Sequence, residues 1–433
     1  MPVPDPKNII VIGGGIIGST TAYFLSHHPS FQPAHDRITL LESTAIAGGA
    51  SGKAGGLLAL WAFPESIVPL SFRLHRELAE KHDGQRRWGY RGVGVGQIEC
   101  LGRAVPRGRA RVEGKEERPT GEEDGGVIAP PGAAEGNEER VSLQKRSKET
   151  MKLLREVGVP EDLDWIDPVC IRAYEEMGDP QTTAQVHPYQ FTTSMARLAE
   201  EKGVKVVFGS ATRINQGTDG SVESVEYMTK EDGRTHKVPA THVVLSAGPW
   251  TQKLWTKAPI QALRAHSVTI RPTRPVSAYA LFTAIQLPKG FRDRKTSRRH
   301  PQYVSPEIYA RPNNEVYACG EGDHLVPLPV TTDLVEVDPQ RCQDIVDYVG
   351  SISDELRDGE VTARQACYLP QVSVGGGPII GETSMKGLIM AVGHTCWGIQ
   401  NGPGTGKLVS EIVWEGGAKS ANIQALHPKR FGL

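Results

Sequence analysis

Three glycines, Gly13, Gly15 and Gly18, stand at the spacing G-x-G-x-x-G between an apolar run at 9–12 (IIVI) and a stretch of helical periodicity at 16–28 that Pro29 closes. Each has a distinct role in holding a diphosphate. The first permits a tight turn, the second lets backbone come close to the phosphates, and the third lets the helix lie on the strand with its N-terminus facing the anion. Residues 37–41 (RITLL) read as a second buried strand, and Glu42 closes it. A carboxylate there accepts hydrogen bonds from ribose hydroxyls and repels a 2′-phosphate. Strand, glycine turn, helix, strand and acid in this order form a β-α-β dinucleotide-binding unit, and by themselves leave NAD and FAD both open.

The elements that must position this unit follow from the rest of the chain. Residues 48–56 form a second glycine-rich loop, which suits backbone amides passing close to a phosphate or a planar ring, and the apolar run 57–63 (LLALWAF) follows at once. Further strands are expected at 204–208, 222–228, 241–245 and 387–392, with helices near 191–202, 338–351 and 406–415. Residues 102–140 are dense in Gly, Pro, Glu and Arg and read as a disordered insertion, with an amphipathic helix resuming at 141–157. The fold class is therefore α/β, a parallel sheet with helices joined to a second, mixed or antiparallel sheet.

Composition excludes several functions. Lys and Arg number 49 against 50 Asp and Glu, a net charge of -1, so the basic stripe that nucleic acid needs is missing. With 48 Gly and 31 Pro in 433 residues, a coiled coil or helix bundle is ruled out. The run 57–63 falls far short of the ~20 apolar residues of a membrane span. Six widely spaced cysteines with no C-x-x-C argue against zinc. An N-terminus without a secretory pattern, and an RFGL ending unlike the peroxisomal S-K-L, imply a cytoplasmic protein with reduced thiols.

Several blocks resemble one family. GGGIIGS at 13–19, Glu42 with Ser43, GGASGKAGGL at 48–57, VHPY at 186–189 ahead of Gly203 and Val204, HVVLSAGPW at 242–250, PIIG at 378–381, AVGHTCWGI at 391–399 and PGTG at 403–406 are similar in order and spacing to the FAD-dependent D-amino-acid oxidase family, which includes glycine oxidase and sarcosine oxidase. The resemblance implies a discontinuous FAD-binding domain (7–63, 187–255 and 364–433) and a substrate domain (64–101, 141–186 and 256–363), with the insertion 102–140 outside both. It implies cofactor contacts from Gly13, Gly15, Ile16, Ile17, Gly18, Glu42, Ser43, Ala50, Ser51, Ala54, Gly55, Gly56 and Leu57 in the first segment. In the others it implies Ile214 beside the adenine, Gly248, Trp250, Gly393, His394, Cys396, Trp397, Gly398, Ile399 and Gln400, with backbone donors of 393–398 and the dipole of a helix at 406–415 near the flavin pyrimidine edge.

The resemblance also implies a chemistry. The flavin takes a hydride from a carbon bearing a neutral amine, and the protein supplies orientation and electrostatics without an obligatory base. The favoured reaction is oxidation of a C–N bond in a small amine or amino-acid-like substrate, with O2 reoxidising the flavin to give H2O2. The alternatives are a dehydrogenase using another acceptor, and a flavoprotein acting through a partner surface. Candidate pocket residues are Arg311, Tyr368, Trp397 and His266.

Three departures qualify this. Leu369 stands where relatives of glycine oxidase carry an arginine that clamps a carboxylate, with Arg364 or Arg311 as possible substitutes. Cys367 falls where some members bond covalently to the flavin. The strand 316–320 offers none of the lysine that those members place over the flavin for oxygen activation.

Overall fold

The computed structural model describes residues 5–104, 158–291 and 300–433. The expected insertion beyond Ala104 and the helix expected at 141–157 lie outside the described residues. The described start of that insertion belongs to the fold. Gly102 N–H donates to the Gln286 carbonyl at 2.9 Å, and Arg103 pairs with Asp167 and Asp354.

In chain order the first segment contributes β1 (Asn8–Ile12), α1 (Ile16–Ser26), β2 (Arg37–Glu42), β3 (Leu57–Ala59), α2 (Val68–His82), β4 (Arg91–Gly92) and β5 (Gly94–Leu101). Next come β6 (Ile171–Gly178), β7 (Thr183–Gln185), α3 (Pro188–Glu200), β8 (Lys205–Gln216), β9 (Val222–Thr229), β10 (Thr235–Pro239) and β11 (His242–Leu245). The last part gives β12 (Ile260–Arg271), β13 (Tyr279–Gln286), β14 (Tyr303–Val304), β15 (Glu307–Arg311), β16 (Glu315–Cys319), α4 (Pro339–Gly350), β17 (Glu360–Val372), β18 (Ile379–Glu382), β19 (Leu388–Val392) and α5 (Gly398–Glu415).

The first sheet runs β10-β9-β8-β2-β1-β11-β19-β18. Its centre, β8 to β19, is parallel, and both edges turn antiparallel. β1 is buried from Ile9 onward because both faces are covered. Ile9 and Val11 pack with Leu40 and Val244 under the helices, while Ile10 and Ile12 pack with Leu41, Val243 and Met390 on the other face. The second sheet, β17-β12-β16-β15-β13-β5-β6, is antiparallel except where β13 runs parallel to β5. β3, β7 and β4 form a small third sheet.

Two expectations about boundaries are corrected here. α2, assigned from sequence to the second lobe, places Leu70, Phe72, Leu74 and Leu78 in the core beneath the first sheet, while residues 364–372, assigned to the first, run in β17 of the second sheet. The terminal helix starts at Gly398 and not at Gly406, with Pro403 inside it. Proline has no N–H for the carbonyl four residues back, so the Ile399 carbonyl would be orphaned. His75 Nε2, on α2, meets that carbonyl at 2.9 Å and the Gln400 carbonyl at 3.2 Å. The helix thus passes through its proline and brings its N-terminus eight residues closer to the β19 turn.

α1 and α5 cross at close range because glycine removes the side chains between them. A Cβ on Gly406 would lie 2.6 Å from Thr20 backbone carbon, and Thr20 Oγ1 bonds the Gly402 carbonyl at 2.8 Å. Gly406→Ala should therefore lower stability by about 1–3 kcal/mol in urea denaturation. Gly417→Ala, with open space at that position, is the control, and equal stabilities of the two variants would refute this packing.

Three histidines are held neutral by burial: His75 and His242 are pushed down to about 4, and His394 to about 3. The unfolded chain protonates them at their ordinary 6.5, so below that pH it binds protons the folded state refuses. Stability should fall as pH drops from about 6.5 toward 4 and be insensitive to these groups above about 7. Denaturation midpoints at about pH 7.5, 6 and 5 check this; a midpoint that holds or rises on acidification contradicts it.

Candidate functional site

A cavity begins at the C-terminal ends of β1, β2 and β11 and reaches the start of α5. It is the crevice where open parallel sheets hold their ligands. Gly13 has φ +107°, and a Cβ there would meet the Ser246 carbonyl oxygen at 2.5 Å. On Gly18 a Cβ would sit 1.8 Å from the Gly13 carbonyl oxygen, which is the helix-on-strand contact expected of the third glycine. Glu42 is buried, and its carboxylate accepts from Gly14 N–H at 2.7 Å and Thr44 N–H at 2.9 Å, tying β2 to the glycine turn.

The 48–56 loop is fixed at both ends. Ser51 Oγ accepts from Ile16 N–H, the first residue of α1, at 2.9 Å. Arg311 donates to the Ala54 and Gly55 carbonyls, pairs with Glu315 at 2.7 Å, and lies with its guanidinium 4.7 Å from the Tyr317 ring centre. Gly55 rests against the Tyr309 ring, where a Cβ would approach to 2.8 Å, and Gly56 at φ +95° leaves no room for a Cβ beside the Val186 carbonyl. Lys53 donates to the Ala366 carbonyl at 2.9 Å, and burial lowers its pKa. At the far end Gly393 takes φ +78°, and buried His394 holds Thr405 at 2.9 Å before α5 begins.

A strap from β16 to α4 covers part of this cavity. Trp250 Nε1 donates to the Pro329 carbonyl at 2.8 Å, Lys253 to the Pro329 and Val330 carbonyls, and Thr332 meets Thr44. Val330 and Thr332 line the cavity from above.

Of the residues named from sequence, Gly13, Gly15, Ile16, Ile17, Glu42, Ser43, Ala50, Ser51, Ala54, Gly248, Trp250, Gly393, His394, Cys396, Gly398 and Ile399 line this one cavity. Others stand outside its lining. Gly18, Gly55 and Gly56 serve packing, Leu57 lies in the core between the 48–56 loop and the second sheet, and Gln400 accepts from Ala59 N–H at 2.8 Å. Trp397 packs edge-on against Trp61. Ile214 sits farther along β8, and Gly209, Ser210 and Ala211 of the same strand line the cavity instead.

The substrate candidates fare differently. His266 Nε2 accepts from Asp338 N–H at 3.1 Å at the start of α4, and Tyr368 donates to the Val326 and Pro327 carbonyls, so both hold structure. Arg311 is spent on the loop. Arg364 is exposed and bonded to Gln343. Leu369 lines the cavity, so the position matched to the clamping arginine is an apolar wall. Cys367 is buried, with its thiol pushed up to about 11, and does not line the cavity. Lys53 and the strap were not foreseen; a lone lysine in a glycine loop was the signal for the first, and the second had none.

The geometry is that of a flavoprotein: a parallel sheet with a diphosphate-binding turn, and a second sheet closing over the far end of the crevice. A family model described as FAD dependent oxidoreductase matches residues 8–412, and the chain belongs to this family, the D-amino-acid oxidase (DAO) family. It is 37% identical over 507 aligned positions to the protein TDA3 of Saccharomyces cerevisiae, whose name assigns it provisionally to the oxidoreductases, covering 98% of this chain and 95% of that one. Among solved structures it resembles glycine oxidase from Bacillus cereus (TM-score 0.63, 17% identity, 95% of each chain) and L-proline dehydrogenase from P. horikoshii (TM-score 0.63, 16% identity, 99% of each chain).

The Arg311 fork gives a prediction. Arg311→Lys keeps the charge but loses the planar donors, leaving the Ala54 or Gly55 carbonyl unpaired. Stability should drop by about 1–3 kcal/mol, and limited proteolysis should cut within 48–56 sooner than in the wild type. An unchanged digestion pattern and denaturation midpoint would show that the fork is dispensable.

Proposed function

We propose that this chain binds FAD in the crevice and oxidises a C–N bond of a small amine. One observation carries the reading: a single cavity joins the glycine turn and Glu42 to the α5 N-terminus beneath the second sheet. The lining fits the group. Gly13, Gly15 and the α1 N-terminus would take the pyrophosphate, Glu42 the ribose hydroxyls, and the backbone from Gly393 to Gly398 the end of the ring where negative charge appears on reduction. FAD, when bound, supplies the two-electron acceptor for a hydride from the carbon next to nitrogen.

The chain's own residues orient and exclude water. Leu369, Pro370 and Ile399 give the cavity apolar walls. The α5 N-terminus adds a fixed positive dipole end that needs no reorganisation. His394, neutral through burial, keeps the turn in shape through Thr405 and brings no charge. All six cysteines are unpaired, which fits a reducing compartment and supports placing the protein in the cytoplasm. Among the described residues no helix is long and apolar enough to cross a membrane.

In this reading O2 accepts the electrons and gives H2O2. A second reading, a dehydrogenase with another acceptor, draws on β16, which presents Tyr317 and Cys319 and no lysine.

Visible absorbance of FAD-reconstituted protein tests the proposal. A flavin band should appear and should bleach when one member of a panel of amines is added without oxygen; O2 uptake on readmitting air separates the oxidase from the dehydrogenase. A flavin band that no amine bleaches would sink the catalytic reading. The high pKa of Cys367 also predicts that acid precipitation releases the colour into the supernatant, whereas a yellow pellet would mean covalent attachment.

A further inference from the structure

The face of the second sheet turned toward the 48–56 loop carries Phe282 on β13, Glu307 on β15 and Cys319 on β16 in one register, with Tyr309 and Tyr317 in the neighbouring one. Aromatic rings form a continuous wall here. Trp61 lies 5.6 Å from Trp397 and 6.0 Å from Phe282, Phe282 lies 6.3 Å from Tyr309, and Tyr309 lies 5.7 Å from Tyr317, all between ring centres. One carboxylate sits within this wall. Glu307 is half-buried, its Oε2 accepts from the Tyr309 hydroxyl and lies 3.8 Å from Cys319 Sγ, and it makes no ion pair among the described residues. Glu307 does not itself line the cavity but stands behind Cys396, which does. The Cys396 thiol is raised by desolvation and, in smaller part, by Glu307.

Among the described residues, the cations on the elements beside this sheet face are committed elsewhere. Arg311 is bound to the Ala54 and Gly55 carbonyls and to Glu315, Arg91 to Gln185 and the Ala310 carbonyl, and Lys53 to the Ala366 carbonyl. Leu369 lines the cavity with an apolar side chain that offers a carboxylate nothing. A partly desolvated carboxylate with no counter-charge is costly, and ring faces beside it are negative as well. Both features suit a cation arriving from outside and repel an anion.

Resting on the reading that the crevice holds FAD and the chain oxidises an amine, we propose that Glu307 determines specificity by drawing in the ammonium form of a substrate that carries no carboxylate, which then loses one proton to water before the neutral amine gives up a hydride. The substrate class is then an alkyl or arylalkyl amine. An α-amino acid would bring its carboxylate against Glu307 and Leu369 with nothing to neutralise it.

Isothermal titration of FAD-loaded protein with benzyltrimethylammonium, and separately with benzoate as an anion of similar size, decides this. Wild-type protein should bind the cation and not benzoate, with affinity falling as salt rises. Glu307→Gln, which still offers an acceptor to Tyr309, should weaken cation binding about tenfold or more. Preference for benzoate, binding of neither probe, or an unchanged Glu307→Gln variant would overturn the proposal, and the wild-type comparison stands even if the variant folds poorly. Visible absorbance of the same samples separates the two levels: protein that takes up no FAD defeats the reading of the crevice, whereas flavin uptake with benzoate preferred defeats the ammonium site alone.

Discussion

The site depends on nine residues of backbone, 48–56, being held between α1 and the second sheet. Backbone in that position carries carbonyls away from water, and a buried carbonyl without a donor costs about 1–3 kcal/mol. Arg311 supplies the donors. Its planar fork reaches two successive carbonyls while its charge is balanced by Glu315 and its flat face is covered by Tyr317. The same residue that holds the loop is thereby withdrawn from substrate binding. One side chain thus helps to shape the crevice.

A second constraint lies in α5. Its N-terminus has to reach the β19 turn for the backbone at 393–398 to face the crevice, and Pro403 stands in the way. The orphaned Ile399 carbonyl finds His75 on α2, a helix also wedged against α5 where Gly404 leaves space for Ser71. Burial keeps His75 neutral at ordinary pH, so its Nε2 must carry the ring proton to donate to these carbonyls. Helix packing, a proline and a histidine far from the crevice together decide where the dipole points. The strap residues show the same dependence from above, since Trp250 and Lys253 hold carbonyls of a segment some 80 residues away in the chain.

Local pattern was enough for the parts of the fold that obey one period. The β1-α1-β2 unit, α3, β9, β11 and β19 all lie where apolar runs and helical spacing place them, because each is covered in a way its own sequence reflects. The pattern misled where tertiary context overrides it. β8 continues to Gln216 well past the apolar stretch, since its far half leaves the parallel core and pairs with β9 through polar residues. α2 reads as an amphipathic helix of either lobe, and only its packing partner assigns it to the first.

The sequence by itself determined the family and the glycine turn, because backbone approach to phosphates demands glycine at set spacings and leaves that demand visible in the chain. Only the tertiary structure decided what the polar side chains do. Whether Arg311 binds a substrate or a loop, whether His266 faces a pocket or caps a helix, and whether Glu307 is paired or free depend on which carbonyls, rings and charges come within hydrogen-bonding reach. The contacts that decide Arg311 and His266 join residues 72 to 257 positions apart, and no local period records them.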